Sequence, residues 1–255
     1  MPAPLTGKIA VVTGASRGIG RGIAERLAAD GARVVVSART EIELAEVSAG
    51  IGGAHLALDL RQPTAAQQLA EFAIATYGRI DILVNNAGAT RRGDFLTLTD
   101  DDFADGFALK FFGAVRLTRA AWPHLKSSGG SVVFISGVGG RTPGPLFTIG
   151  GSVNAALLSF TKAMAGQGIA DGVQVNVINP GLIRTGRLQK RLEALAAEKS
   201  IDLAAAEREM IADTKSTRVG EPDDIAALVA FIAGPEGRFL QGAMIDMDGG
   251  YTKTL

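Results

Sequence analysis

Apolar, β-branched runs alternate along the chain with longer segments of helical period, the pattern of a parallel sheet whose two faces are covered by helices. The runs predict seven strands, at Lys8–Thr13, Arg33–Ser37, Ala54–Leu58, Ile80–Val84, Ser131–Ser136, Val173–Ile178 and Ala243–Asp246. Short stretches rich in valine and isoleucine, bounded by turn residues, fit buried strands better than helices. The expected fold class is α/β, a doubly wound (Rossmann) seven-stranded parallel sheet with helices on both faces. Polar and glycine-rich residues gather after the strands, where ligands of such sheets bind. No linker-like stretch or repeat divides the sequence, so residues 1–255 are expected to form one domain.

The loop after the first strand carries the first chemistry. It reads Thr13-Gly14-Ala15-Ser16-Arg17-Gly18-Ile19-Gly20. Gly14 permits a tight turn, Gly18 lets backbone amides approach a pyrophosphate, and Gly20 lets the helix Ile19–Ala29 pack closely on the sheet. The helix N-terminus then faces the phosphates, with Ser16, Arg17 and Ile19 beside them. At the end of the second strand, the acid that would hold a ribose 2′-hydroxyl is replaced by Ala38, and Arg39 follows. Arg17 and Arg39 can grip a 2′-phosphate as charge-assisted forks, although both also read as solvated surface charges. NADP(H) is the expected cofactor, and NAD(H) is less favoured.

Three further motifs are Asp81-Ile82-Leu83-Val84-Asn85-Asn86-Ala87-Gly88, Asn179-Pro180-Gly181-Leu182-Ile183-Arg184-Thr185 and Asp246-Met247-Asp248-Gly249-Gly250. With the glycine loop, they make the chain resemble the short-chain dehydrogenase/reductase family over nearly its whole length. That resemblance implies that Asn85 and Asn86 brace the central sheet, while Ala87 and Gly88 lie beside the cofactor ribose. It places Asp59, followed by Leu60, against the adenine, a position where Asp59 also reads as a strand-end cap. It brings Pro180 and Gly181 to the cofactor, with Ile183 and Thr185 touching the nicotinamide carboxamide. It also implies a substrate lid at 186–215, and a homodimer or homotetramer assembled through helices around Phe103–Lys126 and Ser152–Gly168.

The family's catalytic Asn, Ser, Tyr and Lys fall at Lys110, Gly137, Gly150 and Asn154. In the family the Tyr transfers a proton, the Lys lowers the Tyr pKa and holds the ribose, the Ser orients the carbonyl, and the Asn holds a relay water. The chain's two tyrosines lie elsewhere, Tyr77 ending a helix and Tyr251 following the last turn. Lys162 is more than two helical turns beyond Asn154, too far to substitute. Lys110 shares a predicted helix face with Phe103, Phe107, Ala114, Leu117 and Ala121. A lysine held on that apolar face would be desolvated and could exchange a proton near neutrality; alternatively it snorkels to the cleft edge or forms a structural ion pair. Ser136 and Ser152 read as turn or cap residues. Restoring Ser, Tyr and Lys at 137, 150 and 154 is expected to regain the family's geometry.

Charge and composition narrow the partners. Lys and Arg total 26 against 26 Asp and Glu, which leaves no electrostatic footprint for nucleic acid or an anionic membrane surface. The sequence has no cysteine, which excludes disulfides, thiolate metal sites and a thiol nucleophile; no metal is expected. The start Met1-Pro2-Ala3-Pro4 lacks a basic segment followed by an apolar one, and no apolar run approaches a membrane span. A cytoplasmic protein acting on a small molecule is the expectation. Three functions stay open: an NADP(H)-dependent oxidoreductase with an altered proton relay, a cofactor-binding pseudoenzyme acting as sensor or partner subunit, and a non-redox lyase or dehydratase reusing the cleft.

Overall fold

The computed structural model describes residues 3–253; Met1 and Pro2, which enter the reading of the chain's start, lie outside them. Seven strands form one sheet: β1 Ile9–Thr13, β2 Arg33–Ala38, β3 Ala54–Ala57, β4 Ile82–Asn85, β5 Ser131–Ile135, β6 Gln174–Pro180 and β7 Met244–Met247. Their order is β3-β2-β1-β4-β5-β6-β7, and every pairing is parallel. The helices between them are α1 Gly18–Ala29, α2 Glu41–Ile51, α3 Ala65–Tyr77, α4 Asp100–Phe107, α5 Ala114–Ser128, α6 Thr148–Asp171, α7 Gly186–Lys199, α8 Leu203–Thr214 and α9 Pro222–Ala233.

Alternation along the strands sorts the core into two layers. Ala10 and Val12 of β1 face Ile23 and Leu27 of α1, Leu44 of α2, and Ile225 and Val229 of α9. Val11 faces the other way, toward Leu69 of α3, Leu117 and Leu125 of α5, and Leu157 of α6. All these side chains are fully buried, which is why the strands read as continuous apolar runs.

Strand ends depart from the prediction for local reasons. β4 starts at Ile82 rather than Ile80, because the Asp81 carboxylate accepts the Ile9 N–H at 3.0 Å and pairs with Lys8 and Arg79. β6 runs two residues beyond Ile178, since Asn179 and Pro180 still pair with Asp246 and Met247 of β7.

The predicted single helix around Phe103–Lys126 needs a larger correction. Thr99 and Asp102 start α4 with a reciprocal capping box, but residues Ala108–Gly113 form a π-helical turn before α5 begins. The regular three-and-four spacing from Phe103 to Ala121 is therefore broken at Lys110. Ala114, Leu117 and Ala121 are buried, whereas Phe103 and Phe107 are only half-buried.

Helices α7 and α8 form a hairpin with its own small core of Leu188, Leu192, Ala206, Met210 and Val219. Arg184 fastens its base by pairing with Glu207 and Glu221, each at 2.9 Å.

Candidate active site

Between β1 and β4 the winding of the sheet reverses, and a crevice opens there beyond the strands' carboxyl ends. Thr13 closes β1 and binds it to the loop after β4. Its Oγ1 accepts the N–H groups of Asn86 and Ala87, both at 3.0 Å. Asn86 Nδ2 returns two bonds, to the carbonyls of Thr13 at 2.9 Å and Gly14 at 3.2 Å. Asn85 braces the other side by donating to Thr118 Oγ1 at 3.1 Å. Space is as tight as the bonding: a Cβ on Gly20 would stand 2.2 Å from the Gly14 carbonyl oxygen, and one on Gly14 would stand 2.9 Å from Ala87 Cα.

This loop fits a dinucleotide pyrophosphate. Gly14 and Gly18 adopt positive φ of 65° and 56°, which favours glycine. Arg17 precedes α1 in extended conformation with no side-chain cap, and the first turn holds no acid, so the leading amides remain available to an anion. Ser16 and Ile19 flank them, half-buried. From the opposite wall Thr185 reaches the same loop, its Cγ2 lying 3.2 Å from where a Gly18 Cβ would be. Ile183 is buried, and the Gly181 N–H donates to Met247 O at 3.1 Å, which fixes the segment from Pro180 to Thr185. The structure thus brings the glycine loop, the Asn86-Ala87-Gly88 loop and the Pro-Gly loop to one crevice.

Arg17 and Arg39 are exposed. In the turn after β3 the Asp59 carboxylate accepts the Arg61 N–H at 3.0 Å, and Arg61 is also paired to Asp105. Leu60 is buried, and Gly113 of the π-turn packs closely on it.

Lys110 stands at the centre of the cleft floor. The π-turn aims its half-buried side chain toward the end of β5, and such turns are frequent at functional sites. Its stem runs over Gly88, where a Cβ would lie 2.7 Å from Lys110 Cδ. The ammonium donates to the Ser136 carbonyl at 2.7 Å and to Asn154 Oδ1 at 2.6 Å. Two of its three protons are thus committed to neutral oxygens. No carboxylate neutralises it among the described residues. Burial therefore pushes its pKa down to about 7, with a further contribution from the positive charge of Arg187. The structural ion-pair reading of Lys110 is not realised.

Asn154 is buried one helical turn after Gly150 on α6. Ser136 Oγ holds that turn by donating to the Asn154 carbonyl at 3.1 Å; Ser152 is exposed. Gly137, with φ of 154°, faces Asn154 Nδ2 at 3.0 Å from its would-be Cβ. The Phe147 ring lies over Gly150, 2.1 Å from where a Cβ would be, and against Gly139 at 2.8 Å. Restoring Ser, Tyr and Lys here asks the neighbouring side chains to move. A Tyr at 150 displaces the Phe147 ring, a Ser at 137 is strained at that φ, and a Lys at 154 would face Lys110.

A family model described as enoyl-(acyl carrier protein) reductase matches residues 14–252. An uncharacterised oxidoreductase of Mycobacterium tuberculosis is 38% identical over 255 residues, covering 97% of this chain and 93% of that protein. The 3-oxoacyl-(acyl carrier protein) reductase of Escherichia coli is 34% identical over 252 residues, covering 96% and 97%. The chain belongs to the short-chain dehydrogenase/reductase family. Among solved members, L-sorbose reductase from Gluconobacter frateurii, complexed with NADPH and L-sorbose, superposes with a TM-score of 0.94 at 30% identity, covering all of both chains.

Beside this shared dehydrogenase/reductase framework stand residues that sequence reasoning passed over. Arg187 donates to the Gly88 carbonyl at 2.7 Å across the crevice; burial lowers its pKa first, and the charge of Arg17 adds to that. The Arg92 guanidinium lies 4.6 Å from the centre of the Phe147 ring. Tyr251, distant from the cleft in sequence, is half-buried. The signal available was the helical spacing of Arg187 and Arg191, four apart on one face of α7.

Proposed function

We propose that this chain is an NADP(H)-dependent oxidoreductase of a small carbonyl or alcohol, and that Lys110, positioned by Asn154, transfers the proton that the family's Tyr transfers elsewhere. The contact that carries this reading is Lys110 Nζ to Asn154 Oδ1 at 2.6 Å. By the resemblance of the motifs, Asn154 stands at the Lys position and Lys110 at the Asn position, so the two residue types are transposed between facing helices. The cleft keeps one ammonium and one amide in contact, with the ammonium arriving from the other wall. Gly137 and Gly150 stand where Ser and Tyr are expected.

The bound cofactor supplies a hydride to the carbonyl carbon. Amides of the Gly14–Gly20 loop and the N-terminus of α1 would hold its pyrophosphate. Arg17 and Arg39 would hold the 2′-phosphate, and Asp59 and Leu60 the adenine. Gly88, Ile183 and Thr185 would border the nicotinamide end. Lys110 directs its third N–H at the carbonyl oxygen, stabilising negative charge as it forms there and then donating a proton to complete the alcohol. Asn154 fixes the direction of that N–H. With a pKa of about 7, the donor is matched to neutral pH, as efficient proton transfer requires. The hairpin α7–α8 serves as the lid over this volume.

Cofactor choice is directly measurable. NADPH is expected to bind about tenfold or more tightly than NADH, the size of one charge-assisted contact, and Arg39→Ala should remove most of that preference. Fluorescence titration of both dinucleotides checks it; equal affinities, or a preference untouched by Arg39→Ala, would reject the two-arginine site. NADPH oxidation with a panel of ketones and aldehydes tests the reaction itself. Tight NADPH binding with no turnover of any of them would instead select the pseudoenzyme reading.

A further inference from the structure

Phe147 forms a wall beside the proton donor. A Cβ on Gly139 would stand 2.8 Å from Phe147 Cδ1 and 3.7 Å from Asn154 Nδ2, so the ring and the amide that holds Lys110 meet over one glycine. The ring tip takes the space above Gly150, and the Arg92 guanidinium covers one ring face at 4.6 Å from the centre. An aromatic ring without a hydroxyl thus fills the place where the family resemblance expects one with it. Backbone bonds hold it there: the Phe147 N–H donates to the Gly144 carbonyl at 2.9 Å, and the Gly93 N–H donates to the Leu146 carbonyl at 3.2 Å. The second bond ties the loop after β4 to the loop after β5. Phe147 is still only half-buried, so part of the ring is left to the crevice.

The segment that carries this ring reads Thr142-Pro143-Gly144-Pro145-Leu146-Phe147, and its side chains give a ligand almost nothing to hydrogen-bond. The Thr142 hydroxyl already donates to the Val138 carbonyl at 3.1 Å. The Thr148 hydroxyl that follows is shut away from solvent, and the Ser136 hydroxyl donates to the Asn154 carbonyl. On the facing loop Asp94 accepts the Leu96 N–H at 2.8 Å, and Thr97 Oγ1 donates to the Asp94 carbonyl at 2.9 Å. What these two loops turn outward is carbon: Leu146 is 53% exposed, Phe95 60% and Leu96 89%. Single exposed apolar side chains are ordinary. Here they gather at the bond that joins the loops and lead inward to Phe147, which makes them one apolar path to Lys110. A ligand hydroxyl on this wall would lose its water and gain no partner, whereas an alkyl or aryl group gains by being covered.

We infer that Phe147 and Leu146 set the substrate class: the compound bound here presents an apolar substituent to them, so this chain takes alkyl or aryl aldehydes and ketones and refuses polyhydroxylated ones. Its carbonyl oxygen meets Lys110, the one free polar tip on this side of the cleft, while the group next to the carbonyl lies on the Phe147 ring and a longer one runs out over Leu146. The reductase that shares the fold at a TM-score of 0.94 is complexed with L-sorbose, a polyol, and the wall of Phe147 and Leu146 separates this chain from such a ligand. That the bound compound is reduced rests on the oxidoreductase reading; its apolar character does not.

Calorimetric titration of the intact protein saturated with NADP+, in which no ketone can be reduced, tests the assignment. Diethyl ketone and dihydroxyacetone have the same shape, with a methyl in one for each hydroxyl in the other. The first should bind about tenfold or more tightly, the size of the discrimination an apolar pocket makes against an added hydroxyl. Dipropyl ketone should bind about tenfold more tightly again, as its further methylenes are covered, and L-sorbose should not bind at about 10 mM. Leu146→Gln, at an exposed position, should remove the gain of dipropyl over diethyl ketone. Phe147→Gln sets an amide on the wall and should bring diethyl ketone and dihydroxyacetone within about threefold of each other, with NADPH affinity unchanged in both variants. Equal affinities of diethyl ketone and dihydroxyacetone, a preference that survives Phe147→Gln, a gain with length untouched by Leu146→Gln, or no binding of dipropyl ketone at about 10 mM, weaker than any useful site, would overturn the assignment. The expected affinities without NADPH oxidation by any ketone would leave the wall standing and sink the oxidoreductase reading. NADPH oxidation driven as well by dihydroxyacetone or L-sorbose as by diethyl ketone would do the reverse.

Discussion

Lys110→Met is expected to lower the rate of carbonyl reduction by about 10²–10⁴-fold, the usual contribution of a positioned proton donor, and to leave NADPH affinity nearly unchanged. Methionine preserves the unbranched stem that passes over Gly88 and removes only the charged tip, so the floor of the cleft stays filled. The wild-type profile carries its own signature. Lys110 donates only when protonated, and its pKa lies at about 7, so reduction should fall as pH rises through that value, while alcohol oxidation, which needs the neutral amine, should rise. Arg187→Gln removes the second cause of the shift and should move both profiles to higher pH. Stability follows with a definite sign. The folded chain releases this proton at about pH 7 and the unfolded chain at the ordinary value of 10.5. The unfolded state therefore binds more protons between those limits, and stability should increase with pH across that window. Thermal melts of Lys110→Met should lack this slope. A variant with wild-type turnover, or a flat wild-type profile between pH 6 and 8, would return Lys110 to a structural role.

The second large effect comes from rebuilding the family's proton relay. Gly137→Ser, Gly150→Tyr and Asn154→Lys together are expected to give no gain, because the new Tyr meets the Phe147 ring and the new Lys faces Lys110. Adding Lys110→Asn and Phe147→Ala reverses the transposition and opens the space, and the five-residue variant should exceed the three-residue variant in NADPH-dependent ketone reduction by about 10²-fold or more. Residues that act as a unit reward only the complete set. Steady-state rates of the two variants, with circular dichroism to confirm folding, decide the matter. A three-residue variant that already equals the five-residue one would show that neither Phe147 nor Lys110 obstructs the relay.

What could be read in advance follows from how locally each feature is written. The glycine loop and the strands were legible because their signals lie within a few consecutive residues: glycines at the positive-φ positions 14 and 18, and, in β1, β2, β4, β5 and β6, apolar runs buried on both faces. Lys110 was legible as an oddity on an apolar face, but its partner was not. Asn154 lies on a different helix, and only the sheet order β4-β5-β6 carries α6 alongside the π-turn. The break at Ala108–Gly113 left no mark, since it opens on the good helix formers Ala108, Leu109 and Lys110 and nothing in composition distinguishes a π-turn from an α-turn. Arg92 and Arg187 were hidden for a related reason. Arginines are ordinary on a helix or a loop, and that one stacks on Phe147 while the other reaches the Gly88 carbonyl is visible only once distant segments are brought together.

The π-turn also makes the direction of Lys110 a question of counting rather than of chemistry. An α-helix advances about 100° per residue, so dropping one residue from 108–113 while keeping α5 packed would swing the lysine by roughly a quarter-turn, away from Ser136 and Asn154, with no change in charge or hydrophobicity. Related chains of different length in this segment would carry the same residue types and point them into different parts of the cleft. Chain length in a six-residue stretch then acts as a coarse dial on which group faces the ligand, one that substitution tables do not register.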